Sequence, residues 1–216
     1  MPAPTIVTFG DSITALRDGI VVYTDMLAAD LAQRGIDATF INAGVGGHST
    51  ADGRARFERD VLAHRPAVVA IMFGTNDAAV NVYEGATDPR VSVQQFAANL
   101  GYFVEQLRGI KATPILMLPP PACWSQVLRG YYNKPPYDIN DPESWQRTTR
   151  AHRDAARRLA AALAVACVDH DRTFRDAATD RGITLDDLML DGMHPNTAGQ
   201  RIIADALLPE LLRALP

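Results

Sequence analysis

The sequence predicts an α/β fold of three layers, a parallel sheet of five strands covered by helices on both faces. Short apolar runs alternate along the chain with segments of helical periodicity. One run, Ala67 to Phe73, is apolar at every position, as a strand covered on both faces must be. Helix-sized segments separate the runs, and right-handed crossovers of that kind leave the strands parallel. With 216 residues, 47% of them hydrophobic and 21% charged, the chain suits one well-cored domain spanning 1–216 and is too short for two.

Thr5–Gly10 reads as a buried strand closed by glycine. Tyr23, Met26, Leu27 and Leu31 then fall at helical spacing, and Gly35 stops that helix. A second strand, Ala38–Ile41, runs into the turn Asn42–Gly47. A polar helix follows to about His64, where Pro66 closes it, and Ala67–Phe73 is the third strand. Ser92 and Gln95 predict a capping box ahead of the stripe Val93, Phe96, Leu100, Phe103, Val104 and Leu107. Pro114–Leu118 is the fourth strand, with proline tolerated at its first position. Trp145–Leu163 is a helix, Val165–Val168 the fifth strand, and Asn196 to about Leu212 the last helix, which Pro209 should kink or shorten. Residues 119–144 break the rhythm, being rich in proline and carrying Trp124, Tyr131, Tyr132 and Tyr137. A structureless connection of that length often lines a site, and this one leaves the sheet edge where ligands of such folds bind; an inert surface loop is the plainer alternative.

Composition removes several functions. A formal charge of −4, from 25 acidic and 21 basic residues, does not provide the basic surface that nucleic acid needs. Two cysteines, Cys123 and Cys167, cannot form a disulfide framework. Met1-Pro2-Ala3-Pro4 has neither the basic nor the apolar region of a signal peptide. The longest nearly unbroken apolar stretch, Leu159 to Val168, is about half a membrane span. The expectation is a soluble, cytoplasmic protein without a membrane partner; no segment specifies an oligomer, and a homo-oligomer stays open.

Four segments carry candidate chemistry. Gly10-Asp11-Ser12 sets a serine at the carboxyl end of the first strand, where a nucleophile of an open α/β sheet would stand, although a helix cap is the commoner role. Asp191-Gly192-Met193-His194-Pro195-Asn196 pairs an imidazole base with a carboxylate able to reach its other nitrogen; a surface turn or half a metal site are the rivals, and no further ligands with sensible spacing support metal. Gly74-Thr75-Asn76-Asp77 offers the Asn76 amide to an oxyanion, or simply a turn. The glycines of Asn42–Gly47 let a backbone N–H approach developing charge. As a dinucleotide fingerprint that turn lacks its third glycine and follows the wrong strand. In a parallel sheet these ends meet at one edge.

Those segments resemble the blocks of the SGNH (GDSL-type) hydrolase family, named for its serine, glycine, asparagine and histidine. Phe9-Gly10-Asp11-Ser12-Ile13-Thr14 matches the first block; in Asn42–Gly47 the family glycine falls on Gly47. Gly74-Thr75-Asn76-Asp77 and Asp191-x-x-His194-Pro195 complete the set, with no departure at a catalytic position. The resemblance implies a flavodoxin-like sheet of order 2-1-3-4-5 and a Ser12–His194–Asp191 triad. It also implies an oxyanion hole made of the Ser12 N–H, the Gly47 N–H and the Asn76 side chain. No cofactor or metal is implied. Asp88-Pro89-Arg90 through Phe96–Leu100 is similar to short-chain acetate-ester hydrolases, and the size and Asp191/His194 spacing to intracellular acetyl-xylo-oligosaccharide esterases.

The expected activity is hydrolysis of small acetyl to butyryl esters, carbohydrate acetates among them, through an acyl-serine. Trp124, Tyr131 and Tyr132 are the candidates for binding the alcohol moiety. An acyltransferase using the same residues is the alternative; a non-catalytic flavodoxin-like binding module leaves Asp191 and His194 without a purpose. Other residues are expected to be bland. His48 either lines the pocket or is exposed; His64, His152 and His170 are surface or locally capped; Cys123 is a small buried hydrophobe. Arg147, Arg150, Arg153, Arg157 and Arg158 form a solvated helix side. Asp11 and Asp77 brace their turns.

Overall fold

β1 (Thr5–Gly10) is buried from Ile6 onwards and pairs on either side with β2 (Thr39–Gly44) and β3 (Val68–Met72). In the computed structural model, which describes residues 3–215, β4 (Thr113–Leu118) and β5 (Ala166–Asp169) extend the sheet beyond β3. All five strands are parallel, in the order β2-β1-β3-β4-β5, as the family resemblance implies. The chain leaves β1 towards β2 on one side and returns to β3 on the other. Their shared carboxyl edge is therefore the topological switch point, where open α/β sheets take their ligands.

One face is covered by α1 (Tyr23–Gln33), α7 (His170–Arg181) and α8 (Thr197–Ala214), the other by α2 (Thr50–Asp60), α4 (Val93–Gly109) and α6 (Ser144–Leu163). Two short helices follow β3 and β4, α3 (Thr75–Ala78) and α5 (Gln126–Tyr131). Alternate strand residues serve opposite layers. Ile6, Ala70, Met72 and Ile115 meet Leu27, Phe174 and Leu207, whereas Val7, Phe9, Ile71 and Leu116 meet Phe57, Phe103 and Leu107. Phe9 lies 5.1–5.4 Å, centroid to centroid, from Phe57, Phe73 and Phe103. Truncating it would cost about 3–5 kcal/mol, the usual cost of emptying an aromatic site in a core.

Where the elements differ from the sequence expectation, the reasons are local. Ser92 does cap α4, its hydroxyl accepting the Gln95 N–H, but the Gln95 side chain turns to Asn99 instead of closing the box. A full capping box sits at Ser49 and Asp52, ahead of α2. That helix ends at Asp60 and a 3-10 turn continues to His64, close to the expected stop. α8 is not shortened by Pro209 but runs through it to Ala214. Pro209 and Asp205 both lie on the exposed side, where solvent can replace the helical N–H that the proline removes. α7 was not expected, and residues 119–144 are not structureless. They hold α5 and bury Ala122, Leu128, Tyr132 and Tyr137 with Trp145 against Val80 and Val82. None of the described helices is long and apolar enough to cross a membrane.

Candidate active site

Ser12 lies just beyond β1, and α1 begins only at Tyr23 with Val22 as its cap, so this serine does not cap a helix. Its Oγ is 2.9 Å from Nε2 of His194. On the other side of the ring, Nδ1 is 2.7 Å from Oδ2 of Asp191. The second carboxylate oxygen, Oδ1, accepts the backbone N–H groups of Met193 (3.1 Å) and His194 (2.9 Å). Burial alone would raise the Asp191 carboxyl, but those N–H groups and the His194 ring hold it below the ordinary carboxylate range. An ionised Asp191 only accepts, so the imidazole proton sits on Nδ1 and Nε2 is left to accept the Ser12 hydroxyl.

The turn that offers His194 is a tight hairpin loop. Met189 bridges Pro195, Leu190 N–H donates to His194 O at 2.8 Å, and Asn196 caps α8 by accepting the Gly199 N–H. Residues 119–144 support it from behind through Cys123 N–H to Gly192 O, 2.7 Å, and the Ser125 hydroxyl to Asp191 O.

The turn after β2 lies flush on the Ser12 turn. Asn42 Nδ2 donates to Thr14 O at 2.7 Å, and a Cβ built on Gly44 would meet Ala15 N at 2.2 Å, so only glycine allows the approach. A Cβ on Gly46 would be 4.0 Å from that of Ser12, so the turn that carries Gly47 approaches the serine through Gly46. Asn76, in α3, donates through Nδ2 to His48 O at 3.0 Å and to Asp11 Oδ2 at 3.3 Å. Arg90 Nη1 donates to Gly47 O at 2.9 Å. Ser12, His194 and Asp191 thus form one hydrogen-bonded line beyond the end of β1, with Asn76 joined to the neighbouring Asp11 and the Gly46–Gly47 turn alongside.

Two buried carboxyls underpin this edge. Asp11 accepts Ile13 N–H at 2.9 Å, and burial pushes its carboxyl up to about 7. Asp77 accepts Thr50 N–H at 2.9 Å, and burial raises it as well. Asp11 braces its own turn, as expected, whereas Asp77 ties α3 to the first residue of α2. His48 is half-buried, and its Nδ1 accepts from Arg56 Nε at 3.2 Å.

Other expectations are corrected. His152 and His170 are buried, not superficial: His152 Nε2 pairs with Val91 O at 2.8 Å, and burial drives His170 down to about 3. Arg153 leaves the solvated stripe because the start of α7 comes over it and Asp171 supplies its counter-charge at 3.1 Å. Cys123 is half-buried, and burial pushes its thiol up to about 11, so it is no thiolate nucleophile. Of the aromatic candidates, Tyr132 is buried in its cluster and Trp124 Nε1 is tied to Asp141 O at 2.7 Å. Tyr131 is exposed and packs edge-on against Tyr83, 5.3 Å away, a residue the sequence did not single out. Among the described residues no group of three His, Cys, Asp or Glu side chains is placed to hold a metal.

Comparison with known proteins gives the family. Residues 8–202 match the GDSL-like lipase/acylhydrolase family. An uncharacterized lipoprotein, YqeF, of Bacillus subtilis is 35% identical over 94% of this chain and 87% of its own length. An acetylxylan esterase of Geobacillus stearothermophilus is 27% identical over 93% of this chain and 84% of its own. Among solved structures, a lipase/acylhydrolase from Enterococcus faecalis superposes with a TM-score of 0.73 at 26% identity, covering 99% of this chain and 97% of that one. The esterase Axe2 of G. stearothermophilus, in a catalytic S15A mutant, superposes at 0.76 with 22% identity over 96% and 94%, a likeness of fold. The chain belongs to the GDSL-like lipase/acylhydrolase family, the SGNH hydrolases, and is a carboxylic ester hydrolase.

Proposed function

We propose that the protein hydrolyses short-chain carboxylic esters, acetyl to butyryl, through an acyl-serine formed on Ser12, with residues 1–216 acting as one hydrolase unit. The continuous line Asp191–His194–Ser12, with contacts of 2.7 and 2.9 Å at the switch point, carries the reading. Ser12 Oγ attacks the ester carbonyl while His194 Nε2 takes its proton, and the carbonyl electrons move onto oxygen. The Ser12 and Gly47 backbone N–H groups and the Asn76 amide receive that oxyanion. His194 then returns the proton to the leaving alcohol; a water, deprotonated by the same ring, releases the carboxylate.

Carbohydrate acetates are the proposed natural class. The acetylxylan esterase relative and the exposed Tyr131–Tyr83 pair support that choice. Acylhydrolase relatives favour water over a second alcohol as acceptor. The test is a p-nitrophenyl series from acetate to decanoate, followed by acetate release from acetylated xylo-oligosaccharides with and without a competing alcohol. The fastest rate is expected between acetate and butyrate. A maximum at decanoate, or an acyl group passed wholly to the alcohol, contradicts the reading. Location divides the comparisons: a surface anchor, after the relative called a lipoprotein, competes with the cytoplasm, and cell fractionation separates the two.

A further inference from the structure

Arg56 projects from α2 beneath the site and is only 5% exposed. Its Nη2 donates to Gly10 O at 2.8 Å and its Nη1 to Ala43 O at 2.8 Å. Nη1 also reaches Asp60 Oδ2 at 3.1 Å, Nε donates to His48 Nδ1 at 3.2 Å, and the guanidinium lies 4.5 Å from the centroid of the Phe9 ring. Two of those acceptors are carbonyls at the ends of β1 and β2, whose ladder stops at Gly10 and Gly44 with one further bond, Val45 N–H to Gly10 O at 3.1 Å. A third, His48 Nδ1, belongs to the residue that follows Gly47. One planar group therefore touches the stem of the Ser12 turn and both ends of the Gly47 turn.

A planar fork that stays charged in a dry site suits two carbonyls and a ring nitrogen in fixed directions; a lysine ammonium has neither the reach nor the geometry. The Asp60 pair balances the charge at the rim, where Asp60 is partly open to solvent. Nothing in the Asp191–His194–Ser12 line needs these contacts. They act on the relative placement of the two backbone turns.

We propose that Arg56 is a positioning residue for the oxyanion site: its guanidinium clamps the Ser12 turn to the Gly47 turn and so sets the distance between the two backbone N–H groups. This rests on the reading that those N–H groups receive the oxyanion. Such a clamp acts on the transition state and leaves ester binding nearly untouched, because the carbonyl oxygen moves into the donors only as it gains charge.

The experiment compares wild type, Arg56→Lys and Ser12→Ala on p-nitrophenyl acetate, with circular dichroism to confirm folding. An alkylboronic acid that forms a tetrahedral adduct on serine serves as a second probe. Arg56→Lys should lower kcat about 100-fold, as a displacement of around 1 Å in the reacting geometry does, with KM within about twofold. Boronate affinity should fall in step, and acetate inhibition should not change. A folded Arg56→Lys enzyme with wild-type kcat, or one whose KM rises while kcat holds, overturns the clamp. If that variant does not fold, His48→Ala removes only the contact at the far end of the Gly47 turn and leaves those to Gly10 and Ala43; a kcat lowered about tenfold at constant KM supports the clamp, and an unchanged kcat overturns it. Ser12→Ala separates the two levels. Activity retained there defeats the acyl-serine reading itself, whereas an inactive Ser12→Ala beside an unaffected Arg56→Lys defeats only the clamp.

Discussion

Cys123 N–H donates to Gly192 O at 2.7 Å, and this contact pins the aromatic segment after β4 to the turn that presents Asp191 and His194. The segment therefore has a mechanical role whatever its aromatic rings bind. Its cluster of Tyr132, Tyr137 and Trp145 anchors one side, and the His194 ring is held on the other.

Gly192 is the weak point of that joint. Its φ is +88°, and a Cβ there would stand 2.3 Å from Cys123 O, a backbone atom that cannot rotate away. Gly192→Ala should cost about 1–3 kcal/mol of stability and lower kcat by displacing His194. Urea unfolding and ester hydrolysis check both; a variant as stable and as fast as wild type contradicts the joint.

Asn76→Ala should lower kcat about 10²–10³-fold with little change in KM, the loss expected when one oxyanion donor goes. Steady-state kinetics on p-nitrophenyl acetate decide this. A rise in KM alone would place Asn76 in substrate binding instead.

Asp191→Asn should preserve the fold and lower kcat by about 10⁴-fold, because an amide no longer fixes the proton on Nδ1. Acid acts on the same carboxylate through stability. Its folded pKa lies below the unfolded 3.8, so its contribution is fully present above that value and disappears as pH falls through the folded one. Denaturation midpoints measured for wild type and Asp191→Asn should therefore converge in strong acid.

His170 gives a second acid effect with a different window. Burial takes it from 6.5 to about 3, so the unfolded chain binds a proton between these values and the native protein does not. Stability must then fall as pH drops from 6.5 towards 3, by about 2 kcal/mol at pH 5 from this group. A folded His170→Phe variant should show a flatter pH dependence of unfolding over that range. An unchanged slope removes His170 as the cause.

The parts of the fold that were readable in the sequence are those whose burial is written into consecutive residues. Ala67–Phe73 could only be a covered strand, and Ser12 and Asn76 follow strands whose ends a parallel sheet brings to one edge; His194, which precedes α8 and follows no strand, was legible only through the Asp191-x-x-His194 pairing and the family resemblance. α7 was not readable because Phe174 and Ala178 are nearly its whole apolar stripe, on a helix otherwise made of charged and small polar residues. The burial of His152, His170 and Arg153 depends on which neighbour crosses them, and spacing along one helix does not contain that. Arg56 is the instructive case. In the sequence it is one arginine among several on a polar helix; Phe57 beside it was the available sign that this side of α2 turns inward. Tyr83 was missed for the same reason, its partner Tyr131 lying far along the chain.

The central claim is that Ser12 is the nucleophile, and the most direct measurement is p-nitrophenyl acetate hydrolysis by Ser12→Ala beside wild type, both shown to be folded. Rapid hydrolysis by the wild type and a loss of about 10⁴-fold or more in kcat for the variant is the predicted result. Hydrolysis by Ser12→Ala at the wild-type rate would contradict it.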